Sequence, residues 1–89
     1  MKRVKEEQAA QDGEKRRDHL YRTIGANVKK LRKAHGLSQL ELSLAIGCAS
    51  VSLVSQAEIY LYGKHFNLEH LDAIARALSV NICDFFEEI

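Results

Sequence analysis

A chain of 89 residues holds one domain's worth of sequence, so two independent hydrophobic cores are excluded. Its 46% hydrophobic share is ordinary for a globular protein, and no apolar run approaches the roughly 20 residues that cross a bilayer. The net charge of +1 conceals an asymmetry: residues 1–34 carry eleven basic and five acidic side chains, a balance of +6, whereas residues 35–89 carry two and seven, a balance of −5. Such a division suits a protein that turns one surface toward a polyanion. The complete lack of proline favours helices, and the charged opening segment has no apolar stretch of the kind a secretory signal needs, which predicts a cytoplasmic protein.

Residues 1–17 offer only Val4, Ala9 and Ala10 as apolar side chains, and Asp12-Gly13 interrupts them, so this segment is expected to be a charged N-terminal arm, flexible or partly helical. The folded domain is predicted to occupy residues 18–89. From Asp18 the spacing of Leu20, Ile24, Val28 and Leu31 is helical and ends at Gly36. Ser38-Gln39-Leu40-Glu41 has the form of a capping box and opens a second helix, with Leu42, Ala45 and Ile46 inward and Gly47 as its stop. A third short helix is expected over 50–59, with Val51, Val54 and Ala57 in register and an almost uncharged outer face. Residues 59–66 (IYLYGKHF) read as a loop or a helix extension. Asn67 caps a fourth helix built on Leu68, Leu71, Ile74, Ala75 and Leu78, and the remainder, with Val80, Ile82, Phe85, Phe86 and Ile89, reads as a fifth.

Two short helices joined by a glycine-containing turn and flanked by core-forming helices have helix-turn-helix spacing. The stretches IGANVKKLRKAHGLSQLELSLAIG, SVSLVSQAE and NLEHLDAIARALSVNICDFF resemble the lambda-repressor-like, XRE or Cro/C1-type helix-turn-helix family over about residues 23–86. The most specific pieces are Leu31-Arg32, Gly36-Leu37-Ser38-Gln39, Leu42, Gly47 and Ser55-Gln56-Ala57-Glu58. The resemblance implies an all-α, compact five-helix bundle. It also implies a sequence-specific transcriptional regulator that binds double-stranded DNA as a homodimer on a palindromic operator.

By the same resemblance Gln39 contacts phosphate, and Ser50, Val51, Ser52, Ser55 and Gln56 fall where base-reading and phosphate-contacting side chains lie. Their chemistry is suitable: glutamine pairs with adenine N6 and N7, valine packs on a thymine methyl, and serine bonds bases or phosphates. Arg32 and Glu58 match an internal salt bridge tying helix 1 to helix 3. Gly47 to Glu58 is one residue longer than usual, and Glu58 to Leu68 about two residues longer, so the register of the base-reading positions carries an offset. Lys64 and His65 are the loop residues expected to meet phosphate.

Other chemistries find no support in the residue pattern. His19, His35, His65 and His70 lack metal-ligand spacing, no nucleophile is placed beside a base, and neither an enzyme nor a metal or cofactor is expected. Cys48 and Cys83 read as buried small hydrophobes, and Tyr60, Tyr62, Phe66, Phe85 and Phe86 as packing around helices 4 and 5. Phe85, Phe86 and Ile89 exceed what so small a core covers and are expected to join two protomers. The competing reading is a protein-interaction module, such as an antitoxin that masks a toxin, with DNA binding secondary. The expected setting is bacterial or phage, nucleoid-associated when bound.

Overall fold

The computed structural model describes the backbone of residues 6–89 and the side chains from Asp12 onward; expectations for residues 1–5 lie outside the described residues. Among the described residues every regular element is helical: α1 (Glu6–Ala34), α2 (Gln39–Ala45), α3 (Ser52–Ala57) and α4 (Leu68–Leu78), with 3-10 segments at Leu61–Gly63 and Ile82–Phe86. The α-helices therefore number four, and the expected fifth is a short 3-10 segment.

The largest departure is at α1, which begins at Glu6 instead of near Asp18 and passes through Gly13. A single helical glycine costs only about 1 kcal/mol relative to alanine, and the charged residues around it are good helix formers. Asp12 and Arg16 also stand at i,i+4 with the acid N-terminal, the favourable order on a helix. At 1.5 Å per residue the 29 residues of α1 give a rod about 43 Å long, only part of which meets the core.

The core gathers Ile24 and Val28 of α1, Leu42 of α2, Val54 and Ala57 of α3, Phe66, the Leu71, Ile74, Ala75 and Leu78 stripe of α4, and Phe85. Phe85 is 0% exposed, which corrects its assignment to a protomer interface: it fills the space between α1 and α4. Asn27, itself buried on α1, holds that segment in place by donating from Nδ2 to the Phe85 carbonyl at 2.9 Å and the Glu87 carbonyl at 2.6 Å. Two further readings are corrected. Cys83 is exposed and Cys48 only half-buried, because their short segments turn those positions toward solvent. Of the aromatics, Phe66 and Phe85 are core residues, but Phe86 is 42% and Tyr62 90% exposed.

Helix ends are tightly closed. After α1, the Gly36 amide donates to the Lys33 carbonyl and the Leu37 amide to the Arg32 carbonyl; after α2, the Gly47 amide donates to Leu44 and the Cys48 amide to Ser43. Gly36 (φ 71°) and Gly47 (φ 82°) occupy the left-handed position that this paired-bond closure requires. Gly25 has a different role. A Cβ there would sit 2.7 Å from the Glu58 carbonyl oxygen, so only glycine lets α1 approach the end of α3 this closely.

Candidate nucleic-acid interface

The unit of interest is α2, the turn over residues 46–51, and α3. Its first anchor is the capping box foreseen in the sequence: Ser38 Oγ accepts from the Glu41 amide at 3.0 Å while the Ser38 amide donates to Glu41 Oε1 at 2.9 Å. These bonds hold the Glu41 carboxyl below its ordinary range, the Ser38 amide contributing most and the Ser38 hydroxyl next. The second anchor is hidden. Arg32 on α1 is 6% exposed and Glu58 at the end of α3 is 3% exposed; Arg32 donates from Nε to Glu58 Oε2 at 2.7 Å and from Nη2 to Oε1 at 3.1 Å. Arg32 Nη1 donates to the Leu37 carbonyl at 2.8 Å, and Gln39 Nε2 donates to Glu58 Oε1 at 2.9 Å. One carboxylate thus gathers α1, the start of α2 and the end of α3. Among the described residues no buried side-chain polar atom is left without a partner.

Between these anchors the turn and α3 present a surface free of charge, since residues 42–57 contain no ionisable side chain other than Cys48. Ser50 and Ser52 are exposed and bonded to each other, Ser50 Oγ donating to Ser52 Oγ at 2.9 Å and accepting from the Ser52 amide at 3.1 Å. That pair opens α3. Val51 is 36% exposed, Ser55 and Gln56 are half-buried, and Ser55 Oγ donates to the Ser52 carbonyl at 3.2 Å. The helix is shorter than expected, six residues in place of ten. Its last amides shift to i−3 bonding, Ile59 to Gln56 and Tyr60 to Ala57, and Tyr60 in the left-handed region (φ 54°) ends it.

A short helix packed across α2, pinned at its far end by a buried ion pair and open along its outer face, is the arrangement that enters a DNA major groove. The HTH_3 helix-turn-helix family model matches residues 28–85, from the last turns of α1 through Phe85. The chain belongs to the Cro/C1-type helix-turn-helix (XRE) family. A comparison with curated proteins returned no match. As members of that family are DNA-binding regulators, the helix-turn-helix formed by α2 and α3 makes duplex DNA the partner class.

The remaining residues of the sequence reading sit as follows. Gln39 begins α2 and is half-buried, its carboxamide turned to Glu58. Lys64 is exposed in the loop after α3. His65 is exposed too, yet its ring stacks on Tyr21 with centroids 3.9 Å apart, and its Nδ1 lies 3.1 Å from the Gly63 carbonyl. The surroundings of that loop were not foreseen from the sequence. Tyr60 donates its hydroxyl to Asp18 at 2.9 Å, stacks on Tyr21 at 5.8 Å, and lies under the Arg22 guanidinium at 5.2 Å. Asp18, Tyr21 and Arg22 do share one face of α1 by their i, i+3, i+4 spacing, which is the signal that a loop aromatic would find partners there. Backbone strain collects in the same place: Tyr60 and Tyr62 (φ 53°) are both left-handed, at about 1–2 kcal/mol each for residues with a Cβ.

Proposed function

We propose that the chain is a non-enzymatic, sequence-specific transcriptional regulator that binds a palindromic operator as a homodimer, reading bases through α3. The observation that supports it best is the uncharged, outward-facing α3, with Ser52 exposed and its end locked by Arg32 and Glu58. Ser50, Val51, Ser52, Ser55 and Gln56 are the proposed readers, by hydrogen bonds and a methyl contact. With no cation on α3, affinity is assigned to phosphate contacts from Lys64, His65, the Gln39 amide and the basic side chains of α1.

The homodimer is supported by exposed apolar side chains near the C-terminal segment. Phe86 and Leu20 of α1, each 42% exposed, line a groove between α1 and that segment, and Ile89 is 74% exposed. Two protomers joined there by a twofold axis would address half-sites about 34 Å apart, one turn of B-DNA. The same groove, which Lys15, Arg16, Arg17, His19 and Glu88 line along with Leu20 and Phe86, supports the second reading, a protein-interaction module such as an antitoxin. The proposed operation is cytoplasmic, on the nucleoid, and among the described residues no helix is long and apolar enough to cross a membrane.

A gel-shift titration against a randomised duplex pool, repeated at rising salt, tests the reading. Enrichment of one near-palindromic sequence with a log–log salt slope of several units is expected. Binding without sequence preference, or no binding, would leave the protein-interaction reading.

A further inference from the structure

The groove between α1 and the C-terminal segment has a chemistry that the helix-turn-helix unit does not explain. Every residue lining it lies outside residues 28–85, the stretch that the family model matches. Its apolar part is Leu20 and Phe86, which also line a second groove that runs on to Leu68 of α4, 72% exposed. The two grooves, about 520 and 510 Å³, thus meet at one apolar strip. The wall along α1 is cationic. Lys15, Arg16 and Arg17 are exposed and, among the described residues, none of them stands in an ion pair, whereas Glu88, the one carboxylate of the lining, lies 3.0 Å from His19 Nε2. An apolar strip beside three cations calls for a partner that carries both apolar side chains and carboxylates.

We propose that this groove is the docking site for an acidic amphipathic helix of a protein partner, its apolar side chains on Leu20 and Phe86 and its carboxylates against Lys15, Arg16 and Arg17. Among the described residues there is no sheet edge to extend, so a helix laid in the groove is the mode that the architecture offers. A second copy brings the same excess of three cations over one carboxylate to the contact, and an acidic partner brings the opposite one. Leu20 and Phe86 cannot be covered twice. The partner therefore displaces the second protomer and releases the operator, a consequence that rests on the homodimer reading above.

The experiment pans the full chain against a displayed library of random peptides about 16 residues long, enough for roughly four helical turns. Enriched peptides are then synthesised and titrated by fluorescence anisotropy at low and high salt. Peptides rich in Asp and Glu, with apolar residues at helical spacing, are expected, and their binding should weaken several-fold as salt rises. Phe86→Ala is expected to weaken them about 10-fold. The surface pair Arg16→Gln with Arg17→Gln is expected to weaken them about 5-fold, both variants keeping the thermal midpoint of the parent. In sedimentation and gel shift, saturating peptide should convert dimer to monomer and free the operator. No enrichment, enrichment of neutral or basic peptides, or acidic peptides that bind Phe86→Ala as tightly as the parent overturns the docking site and leaves the DNA-binding reading intact. A peptide that needs Phe86 yet leaves the dimer whole overturns the displacement. A parent chain that binds the peptide but is monomeric and selects no operator removes the homodimer reading and upholds the docking site.

Discussion

The two sides of this molecule handle charge in opposite ways. Along the turn and α3 every charge is kept out of sight: residues 42–57 present serines, a valine and a glutamine, while the ion pair that holds the helix, Arg32 with Glu58, lies buried behind it. Along the loop after α3 and the adjoining face of α1 the cations are on the surface, with Lys64 and Arg22 exposed around a scaffold of aromatic rings. A surface meant to tell one base pair from another gains from neutral donors and acceptors of fixed geometry, since a free cation is attracted to every phosphate alike. A surface meant to hold the duplex gains from charge. The difference matches the proposed function, in which discrimination and grip fall to separate regions, and variants in each should then fail in separable ways.

The largest expected effect is on the hidden side of the first region. Glu58→Ala leaves the Arg32 guanidinium buried without its carboxylate, and breaking such a pair costs about 3–5 kcal/mol, a large share of a small domain's stability. Denaturant unfolding should show that loss for Glu58→Ala and a smaller one for Glu58→Gln, which retains an acceptor for Arg32 and Gln39. A loss below about 1 kcal/mol would mean that α3 is held by apolar packing alone, and the contrast between buried and displayed charge would lose its force.

Next come paired variants across the divide. Gln56→Ala is expected to reduce discrimination at one base position by roughly 1–3 kcal/mol, whereas Lys64→Ala weakens all sequences alike and lowers the salt slope by about one unit. Competition titrations against single-base operator variants measure both. If Gln56→Ala weakens every duplex equally, the half-buried Gln56 is a packing residue, and reading falls to Ser52 and its neighbours.

How far each region could be read from sequence follows the range of its interactions. The caps are local: Ser38 with Glu41 and Asn67 with His70 are three residues apart, and glycine at 36 and 47 marks its own left-handed turn, so the starts of α2 and α4 and the ends of α1 and α2 were legible. The helix-turn-helix and the Arg32–Glu58 pair were legible through resemblance. For residues 1–17 the sequence left open a flexible or partly helical arm, because Asp12-Gly13 is a break only where nothing else favours helix, and it did not show that the helix over 6–17 runs on into α1. The burial of Phe85 depends on Asn27, 58 residues away, and the brace on Tyr60 depends on Asp18, 42 residues away; neither distance leaves a periodic trace. Loop aromatics therefore read as generic packing, when one of them is core and another almost wholly exposed.

A smaller effect sharpens the local end of the comparison. Ser38→Ala removes the cap that starts α2 and is expected to cost about 1 kcal/mol. Its partner adds a pH dependence. Since the bonds from Ser38 depress the folded-state pKa of Glu41, its contribution is fully present above the unfolded carboxylate value and is lost as pH falls through the folded value. Unfolding followed from pH 7 to pH 3 should show a shallower acid decline in Glu41→Gln, whose amide still closes the box, than in the parent. Identical slopes would show that other carboxylates account for the acid sensitivity.

The smallest expected signal concerns the brace at the other region. The bond from the Tyr60 hydroxyl to Asp18 raises the phenol pKa above the usual value near 10, burial adds to the rise, and the charges of Arg17 and Arg22 oppose it. A raised folded-state value favours the neutral phenol, so this contribution is present below the unfolded phenol pKa and disappears as pH climbs through the folded one. The chain has three tyrosines and no tryptophan, which makes ultraviolet titration of the phenolates direct. One of the three should ionise late, and Tyr60→Phe should remove that late step while keeping the ring stacked on Tyr21. If the late step persists in Tyr60→Phe, Asp18 does not hold Tyr60 in solution, and the displayed side of the molecule is a set of independent cations instead of a braced surface.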